Sequence, residues 1–181
     1  MLNKQKNKFR RALFVGRFQP FHLGHMWMIE KALKQAKELI IAVGSAEDNH
    51  QKENPFTASE RAEMILEALL EKGISRDRFF LMPVRNINNY DLWVKHLENL
   101  LPMFEAIFTG SGVVQNLFST YSCKYQVVFF SETDKELDIS ATSIREAILA
   151  GDIKRWEKMV PPAVSSFLRR IDAERRLKFC E

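Results

Sequence analysis

The sequence predicts an α/β domain: a five-stranded parallel sheet with helices on both faces and a small helical extension at the C-terminus. Three observations predict it. Five short runs are apolar almost throughout, as strands buried on both faces must be. Between them lie segments whose apolar residues recur at three- and four-residue spacing, the mark of amphipathic helices. The two kinds alternate along the chain, the order that parallel strands joined by crossover helices require.

Residues 1–10 form a basic, polar leader with no periodic apolar face, for which disorder is the default expectation. Arg11 to Gly16 reads as the first strand, closed by its glycine, and Leu23 to Lys37 as the first helix, carrying Met26, Ile29 and Leu33 on one face. Glu38 to Val43 is the second strand, stopped by Gly44, and Ser45 to Pro55 is a polar loop. Thr57 and Glu60 have the spacing of a capping box, so a helix starts there and runs to about Lys72, with Gly73 as its stop. Phe79 to Val84 is the third strand, Tyr90 to Leu101 a helix, and Ala106 to Thr109 the fourth strand. Gly110-Ser111-Gly112 precedes a short helix, and Tyr125 to Phe130 is the fifth strand. Ser143 to Glu146 offers a second capping box near the start of a helix ending at Gly151, and the chain from Pro162 is helical and charged. Residues 11–160 therefore read as the main domain and 161–181 as its extension. In such a sheet ligands bind beyond the carboxyl ends of the strands, where the strand order reverses. That directs attention to the residues after Val15, Val43, Val84, Thr109 and Phe130.

Charge and cysteine content narrow the function. The 181 residues carry a formal net charge of +4, but Lys4, Lys6, Lys8, Arg10 and Arg11 lie in the first eleven with no acid among them. The remainder therefore carries 4 − 5 = −1. A nucleic-acid-binding domain concentrates its basic excess on a folded face, so nucleic acid is not the expected partner. Cys123 and Cys180 are far apart and cannot build a structural zinc site alone, and a reduced pair fits a cytoplasmic protein. No apolar run approaches the ~20 residues that span a bilayer, so no membrane partner is expected.

The chemistry concentrates after the first strand, in Gly16-Arg17-Phe18-Gln19-Pro20-Phe21-His22-Leu23-Gly24-His25. This is neither a P-loop nor a dinucleotide fingerprint, and Gly110-Ser111-Gly112 fails the latter because Gln115 takes the third glycine position. Two histidines and an arginine at a helix start can surround a polyphosphate, because the first turn adds unpaired N–H groups and partial positive charge. Gly24 would let a bulky anion approach the backbone. A zinc pair and two core histidines are the alternatives, and zinc would need a third ligand.

This segment resembles the HxGH signature of a nucleotidyltransferase superfamily, and Ile139-Ser140-Ala141-Thr142-Ser143-Ile144-Arg145 resembles its second signature, ISxTxxR. Further segments are similar to the archaeal-type nicotinamide mononucleotide (NMN) adenylyltransferases: Gly44-Ser45-Ala46, Asn54 to Ala58 with Glu60-Arg61, Pro83-Val84 and Leu92-Trp93-Val94. The likeness runs from about Ala12 to Leu149. It implies a Rossmann-like sheet of the nucleotidyltransferase type, ATP and NMN as substrates, Mg²⁺ as cofactor with no protein ligand nominated, and a homo-oligomer, although the sequence itself leaves the oligomeric state open.

The resemblance also implies roles. His22, His25, Arg17 and Arg145 would be catalytic, the histidines donating to the triphosphate and the arginines neutralising the leaving group. Gly16, Phe18, Gln19, Gly24, Gly110, Ser111, Ile139, Ser140 and Thr142 would hold ATP. Ser45, Ala46, Lys52, Ile87, Asn88 and Trp93 would hold NMN, with the Trp93 ring stacked on the nicotinamide, although periodicity alone would make Trp93 a core residue. Two positions depart from the pattern. Lys52-Glu53 stands where relatives usually have an arginine, so Lys52 is expected to replace it weakly, being a point charge without a bidentate fork. Gly110-Ser111 stands where Gly-Asn is frequent. Another phosphorylated vitamin, such as phosphopantetheine, is the alternative acceptor. A nucleotide-binding regulator without catalysis is the alternative class, against which the intact histidine pair and Arg145 argue.

Overall fold

The computed structural model describes residues 7–130 and 139–180; the first six residues of the leader, the stretch directly after Phe130 and Glu181 lie outside them. The strands are β1 (Phe9–Gly16), β2 (Ala36–Val43), β3 (Phe79–Pro83), β4 (Ala106–Thr109) and β5 (Gln126–Phe129). All pair in parallel, in the order β3-β2-β1-β4-β5. The chain moves outward from β1 through β2 to β3, then crosses back to β4 and β5. The order thus reverses between β1 and β4, which makes their carboxyl ends the switch point of the sheet.

Eight α-helices complete the described chain: α1 (Leu23–Leu33), α2 (Ala58–Glu71), α3 (Tyr90–Leu100), α4 (Gly112–Tyr121), α5 (Ala141–Leu149), α6 (Ile153–Glu157), α7 (Pro162–Arg170) and α8 (Ala173–Phe179). Alternation along the strands divides the core in two. Ala12, Phe14, Leu39, Ile41 and Val43 face a larger cluster supplied by Met26 and Ile29 of α1, Met64 and Ile65 of α2, Ile144 of α5 and Phe167 of α7. Leu13, Ile40 and Ala42 point the other way, onto Val94 and Leu97 of α3 and Leu117 and Phe118 of α4. Both faces are covered, as the near-continuous apolar strands require.

Several boundaries differ from the sequence reading, each for a visible reason. β1 starts at Phe9 rather than Arg11, because Phe9 pairs with Ala36 and is buried edge-on against Phe108 at 6.2 Å between ring centroids. α1 stops at Leu33, since Ala36 and Lys37 already belong to β2. The second capping box is not Ser143 with Glu146. Ser140 is the N-cap of α5 and exchanges hydrogen bonds with Ser143. α6 was not expected; Asp152 caps it and it buries Trp156. The Thr57–Glu60 box is present as read, with Thr57 Oγ1 accepting from the Glu60 N–H at 3.2 Å.

Candidate active site

A cavity of about 350 Å³ opens at the carboxyl ends of β1 and β4, at the switch point. Four segments build it. Phe14 to Gln19 come from the end of β1 and its loop, His22, Gly24, His25 and Met28 from the start of α1, Thr109 to Ser111 from the end of β4, and Ile139 to Thr142 with Arg145 from the start of α5. All four residues expected to be catalytic and all nine expected to hold ATP line this one cavity.

The two histidines form a capping box with each other. The His25 N–H donates to His22 Nδ1 and the His22 N–H donates to His25 Nδ1, both at 3.3 Å. Each Nδ1 is an acceptor, which puts the ring proton on Nε2 and makes that nitrogen a donor. The rings stack at 3.6 Å between centroids, and Phe18 and Phe21 hold His25 from the other sides at 4.8 and 5.6 Å. Gly24 also has a packing role beside its place in the cavity wall. A Cβ there would stand 3.1 Å from the His22 ring, so the glycine makes room for the folded-back imidazole. At Gly16 a Cβ would meet the Phe18 ring at 2.8 Å. Phe18 itself is buried in the left-handed region, with φ 54°, a conformation that a non-glycine residue holds only under constraint from its surroundings.

Gln19 lines the cavity, but its amide is committed elsewhere: it donates to the Phe56 carbonyl at 2.9 Å and accepts from the Phe56 N–H at 3.0 Å. Its carbonyl accepts from Arg145 at 3.0 Å. Arg145 is only 7% exposed and pairs with Glu53 at 3.0 Å. Burial lowers its pKa from the ordinary guanidinium value, an effect the Glu53 carboxylate opposes, and it remains a cation at neutral pH. Ser140 and Ser111 cap α5 and α4, so three helix N-termini converge on the cavity with that of α1. Two arginines and three positive helix ends face the cavity, and none of the described residues that line it is a carboxylate. The arrangement is built for a polyanion.

The residues expected to hold the acceptor are not in this wall. Ser45 and Ala46 follow β2, where the Ala46 N–H donates to the Val84 carbonyl at 3.1 Å. Ile87 and Asn88 follow β3, in a loop whose Asn86 N–H donates to Glu47 at 2.9 Å. Trp93 lies in the first turn of α3, half-buried, its ring edge-on to Phe118 at 6.0 Å. These five occupy the neighbouring carboxyl ends over β2 and β3. Lys52 is exposed and lines a separate cavity of about 160 Å³ with Glu53, Thr142 and Arg145.

Among the described residues no group of three His, Cys, Asp or Glu could hold a metal ion.

Sequence reasoning gave no role to Arg61, although it quoted the residue in a matched segment. The available signal was its spacing: Arg61 falls on the same helical face as Ile65 and Ala68, where an apolar residue belongs.

Residues 13–147 match the cytidylyltransferase-like family, and the chain belongs to it as a nucleotidyltransferase. It is 40% identical over 170 residues to the nicotinamide-nucleotide adenylyltransferase of Pyrococcus furiosus, covering 93% of this chain and 88% of that protein. It is equally 40% identical over 171 residues to the enzyme of the same name from Pyrobaculum aerophilum, covering 93% of each. More narrowly, then, the chain is a member of the nicotinamide-nucleotide adenylyltransferase family. Its fold is similar to the crystal structure of a bifunctional NMN adenylyltransferase/ADP ribose pyrophosphatase from Francisella tularensis, with a TM-score of 0.78 and 23% identity over 94% of this chain and 52% of that one. The chain spans about half the length of that protein, and the likeness is one of fold.

Proposed function

We propose that this protein transfers the adenylyl group of ATP to nicotinamide mononucleotide, giving NAD and pyrophosphate. A phosphate oxygen of the mononucleotide attacks the α-phosphorus of ATP in line with the departing pyrophosphate. One P–O bond forms as the bond to the β-phosphate oxygen breaks. No general base is needed, because the second pKa of a phosphate monoester is about 6 and the nucleophile is largely ionised at neutral pH. Catalysis then rests on holding two anions together and on stabilising the charge that builds between them.

The observation that carries this reading is the convergence of cationic and donor groups on the switch-point cavity, where His22 and His25 act as preorganised Nε2–H donors beside Arg17 and Arg145. Ser140, Thr142 and Ser111 add hydroxyls at two helix starts, and Gly16, Gly110 and Ile139 offer backbone. On the adjacent strand ends, Ser45, Ala46, Ile87, Asn88 and Trp93 form the acceptor side, with Lys52 near the phosphates. Mg²⁺ is expected to enter with ATP. The free thiols of Cys123 and Cys180 support a cytoplasmic setting. Exposed Tyr90, Leu92 and Leu100 on α3 support a homo-oligomer. The decisive experiment is NAD and pyrophosphate formation from ATP with NMN, deamidated NMN and phosphopantetheine in parallel. Turnover with phosphopantetheine and none with NMN would reassign the acceptor.

A further inference from the structure

Arg61 is completely buried, and its four hydrogen bonds all go to backbone carbonyls. Nε donates to Thr57 at 3.1 Å, one terminal nitrogen donates to Arg17 at 2.9 Å and Gly44 at 2.7 Å, and the other donates to Ser45 at 3.0 Å. Burial lowers its pKa to about 10, with Asp48 and Glu47 opposing the shift, so the group is charged at neutral pH. If filling space were its only task, an apolar side chain beside Ile65 and Ala68 would avoid the cost of burying a charge. The carbonyls it joins are not arbitrary. Arg17 belongs to the loop after β1, which lines the cavity, and Ser45 to the loop after β2. The two loops begin where the β1–β2 ladder ends, past the Gly16–Val43 pair, and besides the guanidinium a Gly44 N–H donates to the Gly16 carbonyl at 2.9 Å. Ser45 sits in the left-handed region at φ 46°, a conformation that a serine needs help to hold.

We propose that Arg61 is a positioning residue that fixes the loop after β1 against the loop after β2, and so sets the alignment of the acceptor phosphate on the α-phosphorus of ATP. The proposal rests on the adenylyl-transfer reading for its second half only; the coupling of the two loops stands on the geometry. A planar guanidinium spans four carbonyls that a lysine ammonium cannot, since lysine offers a single point of charge. A misplacement of about 1 Å between reacting groups costs about a hundredfold in rate.

The test compares Arg61→Lys and Arg61→Met with the unaltered protein. Four quantities are measured: melting temperature, dissociation constants for a non-hydrolysable ATP analogue alone and for NMN alone, kcat, and amide hydrogen exchange. In Arg61→Lys, assayed below its melting temperature, kcat should fall about a hundredfold while each single-ligand constant stays within about threefold of the parent value. Exchange should quicken together in residues 16–19 and 44–48, with α3 and α4 unchanged. A folded Arg61→Lys with parental kcat would overturn the proposal. So would equal losses of kcat and both affinities, or the failure of both variants to fold at any temperature, which would make Arg61 a core residue. If the unaltered protein makes no NAD, the functional reading fails. The exchange data then decide the coupling alone, and loosening of only one loop refutes it.

Discussion

Under the proposed function His25 has two separable tasks. Its Nδ1 accepts from the His22 N–H and completes the cap of α1, while Nε2–H is the donor that the proposed reaction would use. Losing half a cap costs roughly 0.5–2 kcal/mol. Losing one preorganised donor to developing charge costs about 3 kcal/mol in the transition state. His25→Ala should therefore lower kcat at least about a hundredfold while the melting temperature falls only by a few degrees; near-parental turnover in a folded variant would remove His25 from the mechanism. Trp93 poses a different question. Full burial would make it a core residue whose loss costs some 3–5 kcal/mol. It is instead half-buried and edge-on to Phe118, which leaves part of the indole for a ligand. A cationic pyridinium over that face gains roughly 0.5–2 kcal/mol. Trp93→Ala should thus raise KM for NMN about tenfold, leave KM for ATP nearly unchanged and narrow the preference over deamidated NMN. Equal damage to both substrates with a collapsed melting temperature would return Trp93 to the core. The histidines and Arg145 were legible in the sequence because their motif fixes residue type at fixed spacing. Arg61 was not, because its partners are backbone carbonyls from segments 16 to 44 residues away in the chain, or one helical turn back, and no sequence pattern names a carbonyl.

Secondary-structure elements were legible wherever one signal acted alone. β4 came out residue for residue, since Ala106 to Thr109 is a fully buried strand bounded by Glu105 and Gly110. Boundaries failed where two signals overlapped. Leu33 and Ala36 are both apolar at helical spacing, and only the pairing of Ala36 with Phe9 assigns it to β2. At α5 two serines and a glutamate offered rival caps, and the structure uses Ser140. That choice matters for the cavity, because α5 carries Arg145 one turn further on, with its guanidinium 3.4 Å from Thr142 Oγ1. Ser140→Ala should cost about 1 kcal/mol of stability by urea titration. It should also raise KM for ATP, as the first turn that presents Thr142 frays. Ser143→Ala, which leaves the Ser140 hydroxyl free to accept from the residue 143 N–H, should cost less. A reversed ranking of the two variants would restore the Ser143 cap.

For the molecule as a whole, the sheet order decides which parts of the chain are dispensable. β1 is the central strand, hydrogen-bonded to β2 on one side and β4 on the other. Its first residue is Phe9, so the basic leader and the core overlap by two residues of what looked like a polar arm. Phe9 is buried, packs on Phe108, and its N–H donates to the Gln35 carbonyl at 2.9 Å. The Arg10 N–H donates to Glu105 at 2.8 Å, next to β4. The charge pattern hid this, because Phe9 stands alone among Lys4, Lys6, Lys8, Arg10 and Arg11, and a single apolar residue carries no period. The expectation that residues 1–10 form a polar leader outside the core therefore divides at this point. Removing residues 1–6 should leave both the melting temperature and kcat at parental values, since that segment has no apolar face to bury. Removing residues 1–10 takes away a buried phenylalanine worth about 3–5 kcal/mol together with the start of the central strand. For a domain stable by about 5–15 kcal/mol, that loss should appear as a large fall in melting temperature. KM for both substrates should nevertheless stay near parental at a temperature where the shortened protein is still folded, because the cavity lies at the opposite end of β1. Comparing the two truncations by thermal melting and by steady-state kinetics tests the division. Equal stability of both would mean that the sheet does not depend on Phe9, and a KM effect in the shorter truncation would give the leader a part in binding.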